Sequence, residues 1–458
     1  MKKQYKVLIS NTAVFAIGTI FIKLISFFLM PIYTSVLSTT DYGIAELLNN
    51  TIEIVLPLAT ICIIEALFRF SMDENVDHTT LFSSSLLVIF FGDIVVGICC
   101  LLWYYILDYR YALHFLLLYV TATSYKAILQ FSRGLGHVKR YVTYGVLNSL
   151  LLVASNLIFL VKLRWGISAY LFSFSISYGI ASIVAFIVSQ EYKFVSIKKI
   201  NLNTLKEMTK YSLPSIPNLL SWWVNSLSDR YILLWICGPA VAGLYTAASK
   251  LPAMINLVTS VFQQAWQYSA AKEVDNKGSK NFFSNVFRVY SYSCFSICAF
   301  LLILNKLICK VLLQSEFYYA WKYVPILLLA ATFGGIGTYY GTFYNAVKNN
   351  KMLMISTLIG AIFNVILNFS LIPFIGAFGA AIATVISYFI VMIVRMIDVR
   401  SFIELEISKK RFFTQLLLLL LSSIFGCFEM QLSSIIVCVC FIAIIFSDIK
   451  LLKEIKHK

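Results

Sequence analysis

The chain has 458 residues, of which 60% are hydrophobic and 13% charged, and it carries a formal net charge of +16. A soluble domain holds roughly 45–50% apolar and about 25% charged residues, so intrinsic disorder, fibrous repeats and a water-soluble enzyme of two or three domains are excluded. A spanning helix needs about 20 residues, and this composition supplies apolar sequence for about a dozen, as in an all-α, multi-pass integral membrane protein.

In chain order, apolar stretches of spanning length fall at about 10–32, 43–68, 80–104, 112–131, 142–161, 166–189, 211–236, 241–266, 286–305, 323–346, 353–374, 378–397, 412–428 and 432–448, which predicts about fourteen transmembrane helices. The longest breaks, near 190–210, 267–285, 305–322 and 396–411, are too short for a folded soluble domain. Any activity is therefore built from the helices, which argues against an enzyme such as a polysaccharide polymerase or ligase with catalytic outer loops. Of the 37 Lys and Arg residues, Lys23, Lys126, Arg230 and Lys250 fall within spans, and Arg110, Lys162, Arg164, Lys306, Lys310 and Lys322 lie in loops opposite the termini. All the others, including Arg69 and the run from Arg395 to Arg411, collect on one side. The positive-inside rule then places both termini in the cytoplasm. Cysteines such as Cys62, Cys100 and Cys298 sit in apolar runs, where they pack as small side chains. Met1-Lys2-Lys3 leads into a span too long for a cleavable signal core.

A weak internal repeat is also visible. Gly166-Ile167-Ser168-Ala169 through Ile176-Ser177-Tyr178 parallels Gly376, Gly379-Ala380 and Ile386-Ser387-Tyr388, and Asp41-Tyr42-Gly43 parallels Ala242-Gly243-Leu244-Tyr245. Six spans separate the copies, so the halves are parallel, a transporter plan with a substrate path between bundles. The expected organisation is a six-helix lobe at 1–190, a cytoplasmic linker at 191–210 and a second, pseudosymmetric six-helix lobe at 211–400. A helix pair with a basic tail follows at 401–458.

Met30-Pro31-Ile32-Tyr33, Leu37-Ser38 and Asp41-Tyr42-Gly43 resemble the opening of the Wzx-type oligosaccharide flippases of the multidrug/oligosaccharidyl-lipid/polysaccharide exporter superfamily. Ser212-Leu213-Pro214, Ser228-Asp229-Arg230-Tyr231 and Gly243-Leu244-Tyr245 look like the start of their second lobe, and Gln264-Ala265-Trp266 is similar to the end of their eighth span. Asn364-Val365-Ile366-Leu367-Asn368, Ile372-Pro373, Gly376, Gly379-Ala380-Ala381 and Ala383-Thr384 match their eleventh and twelfth spans. The resemblance covers about residues 10–400. It implies a flippase that moves an oligosaccharide on undecaprenyl pyrophosphate to the outer leaflet by alternating access, for surface polysaccharides such as O-antigen, lipopolysaccharide or capsule. Membrane lipids and other polysaccharide-assembly proteins are the partners it implies, and nucleic acid is not among them.

Each intramembrane charge needs a partner or a water-filled cavity. Lys23, about 20 Å into its span, and Glu53 on the next span come within reach of one another. They form either an ion pair locking two spans or a pyrophosphate site with a resting counter-ion. Lys250 lies at similar depth in the other lobe, where snorkelling is the competing reading, as it is for Lys126. Arg69 and Arg230 near span ends complete the candidate pyrophosphate contacts. The acids Glu46, Glu53, Asp93 and Asp229 are candidates for ion pairing or coupling.

Asn218, Trp222, Asn225 and Asp229 recur along one helix face, Asn256, Gln263 and Gln267 along another, and Tyr340 and Tyr344 one turn apart on a third. Amides and aromatic rings suit a saccharide path, although interhelical packing explains any single one of them. The histidines lack ligand spacing, and Arg133-Gly134-Leu135-Gly136 is not a phosphate-binding loop, so no metal, cofactor or ATPase module is expected. The chemical alternative is an ion-coupled exporter of small molecules on the same fold.

Overall fold

The computed structural model describes residues 18, 20–73, 76–273, 279–347, 351–403, 405–406 and 408–456. Among them every regular element is a helix. The first half contains α1 (Ile20–Val36), α2 (Thr39–Ala59), α3 (Ile63–Phe70), α4 (His78–Ile106), α5 (Ala112–Gly134), α6 (Val138–Lys162), α7 (Ile167–Val188) and α8 (Leu202–Ser212). The second contains α9 (Ser215–Cys237), α10 (Pro239–Ala248), α11 (Pro252–Glu273), α12 (Ser279–Leu312), α13 (Val324–Ala346), α14 (Lys351–Ile375) and α15 (Ala377–Val399). The terminal pair is α16 (Lys409–Gly426) and α17 (Gln431–Lys456).

Eight helices (α4, α5, α6, α7, α12, α13, α14 and α15) are long and apolar enough to cross a membrane, and α2 with α3 makes a ninth span bent by 69°. The protein is thus a multi-pass membrane protein of all-α fold. The other five expected spans correspond to α1, α9, α11, α16 and α17, which fall short on length or apolarity among the described residues. Residues 10–17 of the first expected span lie outside the described residues, and the polar stripes of α9 and α11 lower their hydropathy.

The chain divides into two compact units, Met1–Trp223 and Val224–Lys458, with the boundary inside α9. In unit 1, α5 packs on α3, α4 and α7, and α6 packs on α7. In unit 2 the same pairs recur eight helices later: α13 packs on α11, α12 and α15, and α14 packs on α15. The repeat reaches the backbone as well. Gly166 caps α7 with φ 62° and ψ −133°, and Gly376 caps α15 with φ 56° and ψ −132°. A residue with a Cβ rarely adopts this conformation, so both positions require glycine for their turn.

Elsewhere, side chains set the helix starts. Ser38 Oγ accepts from Asp41 N (3.0 Å) at α2, and Asp77 accepts from Thr79 N (3.0 Å) at α4. The linker expected at 191–210 consists of two 3₁₀ turns and the start of α8, and α8 packs on α3 and α4 within unit 1.

Candidate functional site

The bent span formed by α2 and α3 owes its shape to one proline. Pro57 has no N–H to donate to the Glu53 carbonyl one turn earlier, which weakens the end of α2. The chain then breaks at Ile61 and Cys62, both in the left-handed region at φ 51° and 53°. Each such residue costs about 1–2 kcal/mol, so the break needs bracing. Cys62 N donates to Pro57 O (2.8 Å), and Ser212 Oγ of α8 donates to Ile61 O (2.7 Å). Gly92 of α4 comes so close to the Ala59 carbonyl that a Cβ there would lie 2.6 Å from its oxygen.

This break forms part of the wall of a cavity of about 440 Å³ inside unit 1. Other walls come from α1, α5, α6 and α7, and the polar lining includes Glu53, Glu65, Tyr125, Lys126, Gln130, Tyr141, Asn148 and Tyr178. The Tyr125 and Tyr178 rings stand 5.1 Å apart. Lys126 Nζ and Glu53 Oε1 form an ion pair at 3.4 Å, with side chains 38% and 55% exposed. Among spanning helices such exposure marks a polar space rather than a sealed pair. The Glu53 partner is therefore Lys126, not Lys23. Lys23 is exposed on α1 and makes no ion pair among the described residues, whereas its neighbour Ile22 lines the cavity. One residue further along a helix turns the side chain by about 100°.

Glu65 lines the same cavity, whereas Glu46, Asp93 and Arg69 sit apart from this pair. Glu46 is buried, with Oε1 accepting from Tyr42 OH (2.9 Å) and Oε2 from Asn50 Nδ2 (3.3 Å). The Tyr33, Tyr42 and Tyr170 rings pack together at 4.9–6.4 Å. Asn156, at the start of a π-helical turn ending α6, donates to Tyr33 OH (3.3 Å). Asp93 is half-buried on α4, and its Oδ1 has no hydrogen-bond partner among the described residues. Arg69 ends α3 in an exposed pair with Asp73 (2.8 Å) and does not line the cavity.

Unit 2 has its own polar cluster. Asp229 is buried and accepts from Tyr245 OH (2.6 Å), Thr384 Oγ1 (3.4 Å) and the Arg230 backbone N–H (2.8 Å). Beside these residues in sequence, Ser228 Oγ donates to Asn364 Oδ1 (3.3 Å), which also accepts from Asn368 Nδ2 (2.9 Å). Among the described residues, the Arg230 Nε and Asn225 Oδ1 atoms are buried without hydrogen-bond partners. On α11, Asn256 and Gln267 are exposed, while Gln263 Nε2 donates to Thr338 O (3.3 Å) and Thr342 Oγ1 (3.4 Å) of α13. Lys250 is half-buried between α10 and α11. The side chains of Asn218 and Trp222 lie outside what is described.

Tyr340 and Tyr344 are buried against Phe287 and Phe402, at ring distances of 5.3 and 5.9 Å. They face the packing of unit 2, because α13 is enclosed by neighbours on most of its circumference.

By sequence, Arg395, at the end of an expected span, counts with the cytoplasmic basic run. It is 6% exposed on α15 and ties three helices together. Nε donates to Ser356 Oγ (2.9 Å), Nη1 to Gly337 O (3.1 Å) and Nη2 to Thr357 Oγ1 (3.0 Å). Position alone suggested a cytoplasmic arginine, and only the Ser356-Thr357 pair on the preceding helix hints at its receptor. The Glu53–Lys126 pairing was likewise hidden, because it joins residues two spans apart in chain order.

The family described as polysaccharide biosynthesis protein matches residues 8–267, more than half of the chain. An uncharacterized membrane protein of Methanocaldococcus jannaschii is 29% identical over 259 residues, which cover 52% of this chain and 49% of that protein. The chain thus spans about half the length of the curated relative it matches. Among solved structures, a lipid II flippase in an inward closed conformation superposes with TM-score 0.70 at 16% identity, covering 97% of this chain and all of that one. An inward-facing multidrug resistance transporter of the MATE family gives 0.65 at 14% identity, covering 83% and 94% of the two chains. A Vibrio cholerae MATE transporter gives 0.56 at 15% identity, covering 86% and 97%. These likenesses establish the fold, and the sequence match establishes the family: the chain belongs to the polysaccharide biosynthesis protein family.

Proposed function

We propose that the protein is a flippase, not an enzyme, and that it moves a polyprenyl-pyrophosphate-linked oligosaccharide from the cytoplasmic to the outer leaflet for surface polysaccharide assembly. The observation that carries this reading is the cavity of unit 1, where Lys126, Gln130, Asn148 and three tyrosines, together with the carboxylates Glu53 and Glu65, place polar groups among apolar helices. The ammonium group and amides suit phosphate and hydroxyl oxygens, and the rings suit pyranose faces. Membership of a polysaccharide biosynthesis family and the fold of a lipid II flippase support the same reading.

In this proposal Lys126 exchanges Glu53 for the diphosphate. Lys23 and Lys250 supply further positive charge along the path, with Arg69 and Arg230 as contacts near span ends. Asn225, Asn256 and Gln267 contact the saccharide, with Asn218 and Trp222 on the same helix face as Asn225. Glu46, Asp93 and Asp229 are the ion-coupling candidates. The membrane is the cytoplasmic one, with both termini inside, and no cofactor takes part.

Deletion of the gene tests the substrate: a lipid-linked saccharide should accumulate on the cytoplasmic face and clear on complementation. Complementation by Lys126→Ala, or by Lys23→Ala combined with Lys250→Ala, should fail at normal protein levels. Normal clearance by both variants would overturn the role of the cations. A second reading, an ion-coupled exporter of small molecules, is favoured by the buried acids Glu46 and Asp229, each held by a tyrosine hydroxyl. It requires drug efflux that Lys126→Gln leaves intact.

A further inference from the structure

After α7 leaves the apolar region, residues 191–213 run along one end of unit 1 as a bolted shelf. Ser132 Oγ of α5 donates to Glu191. Three consecutive serines of α4 then stitch the segment down. Ser83 Oγ donates to Phe194 O (3.1 Å) and accepts from Ser196 N (2.8 Å), Ser84 Oγ accepts from Asn201 N (3.2 Å), and Ser85 Oγ meets the buried Met208 sulfur (4.0 Å). Lys199 pairs with Asp77 (3.0 Å), and Ser212 ends the shelf on Ile61.

The opposite face of this ordered segment does not suit water. Ile197 is 84% exposed, Leu202 73% and Leu213 53%. Lys198, Lys206 and Lys210 are exposed among them. In water, a fixed segment gains nothing by holding isoleucine and leucine outward. At the headgroup level of a bilayer, apolar side chains enter the acyl boundary while lysines meet phosphates.

We propose that residues 191–213 form a docking shelf for anionic phospholipid headgroups, with Lys198, Lys206 and Lys210 as phosphate contacts and Ile197, Leu202 and Leu213 as interfacial anchors. The inference requires only that the chain sits in a membrane, so it stands apart from the identity of the transported molecule.

Hydrogen exchange of the shelf amides tests it, with the full chain in nanodiscs of phosphatidylcholine alone or mixed with phosphatidylglycerol. The acidic lipid should slow exchange across 197–213 by about tenfold or more, since each lysine near an acidic surface is worth a factor of roughly five. High salt should remove the effect, with the amides of α4 as internal control. Changing Lys198, Lys206 and Lys210 together to Gln touches no packing contact and should erase the lipid difference. Ile197→Ser with Leu202→Ser should speed exchange in both membranes. Equal exchange in the two lipids, or an undiminished lipid difference in the triple variant, would overturn the proposal.

Discussion

In unit 1 the central helix α5 has 56% of its apolar stretch buried, and its Tyr125, Lys126 and Gln130 face a cavity. In unit 2 the corresponding α13 is 83% buried, and its Tyr339 lies in a stack of rings. The Trp266 ring is 4.8 Å away and nearly parallel, Tyr290 is at 5.5 Å, and the Tyr339 hydroxyl donates to Phe283 O (2.9 Å). The helix neighbours are the same in both units, so a repeated scaffold does not impose a repeated interior. One copy has committed its central helix to packing, and the other has left its central helix available to a solute.

If that contrast holds, Tyr339→Ala should be the most damaging of the changes considered, costing about 3–5 kcal/mol as a large ring is removed from a filled core. Tyr125→Phe, which removes only a hydroxyl 3.4 Å from Tyr144 O at the cavity wall, should cost under about 1 kcal/mol. Thermal unfolding in detergent measures both, and comparable losses would erase the distinction between a packed and an open central helix.

Glu191 sharpens the contrast at the edge of unit 1. It is 1% exposed in the 3₁₀ turn after α7, and burial pushes its carboxyl up to about 7, against the pull of the Ser132 hydrogen bond and the Arg140 charge. The folded chain therefore binds more protons than the unfolded chain from about pH 4.5 to 7, so stability falls as pH rises through that window and stays lower above it. Glu191→Gln removes this loss and should stabilise the protein by up to about 3 kcal/mol at pH 8, with the gain shrinking towards pH 5. A gain that is independent of pH would count against titration of this carboxyl.

Gly92→Ala probes the break instead. Its Cβ would meet the Ala59 carbonyl at 2.6 Å, a backbone neighbour that cannot rotate away, so a loss of about 1–3 kcal/mol is expected. Transport should fall with it, because the same backbone forms part of the cavity wall. A stable but inactive variant would point to the break as functional, and an active one would show that α2 and α3 tolerate a shift.

Much of the scaffold was legible in the sequence because it rests on local rules. The paired glycines Gly166 and Gly376 announced the repeat, and the structure gives them matching dihedrals. Apolar runs located the spanning helices, with the weakest definition where Asn, Gln and Asp interrupt them. The interior was less legible, because polar stripes on helices do not reveal which of them face one another. Tyr340 and Tyr344 look identical in sequence to cavity-lining tyrosines, and only the crowding around α13 makes them packing residues. Arg395 shows the converse: its three oxygen acceptors come from two other helices, so nothing adjacent to it in sequence marks it as buried.

The smallest expected stability effect belongs to the pair with the largest expected effect on transport. Glu53 and Lys126 are both more than a third exposed and 3.4 Å apart, and exposed pairs contribute roughly 0–1 kcal/mol. Lys126→Gln and Glu53→Gln should therefore unfold close to the parent. The two changes should not be equivalent in transport, however. Removing Lys126 deletes the positive charge of the cavity, whereas removing Glu53 frees it, so the proposed exchange predicts severe loss for the first and a milder, affinity-raising change for the second. Binding of inorganic pyrophosphate to the purified chain separates them directly: weaker in Lys126→Gln, stronger in Glu53→Gln. If both variants bind and transport alike, the pair merely holds α2 to α5, and the open interior of unit 1 must be read through its tyrosines and amides instead.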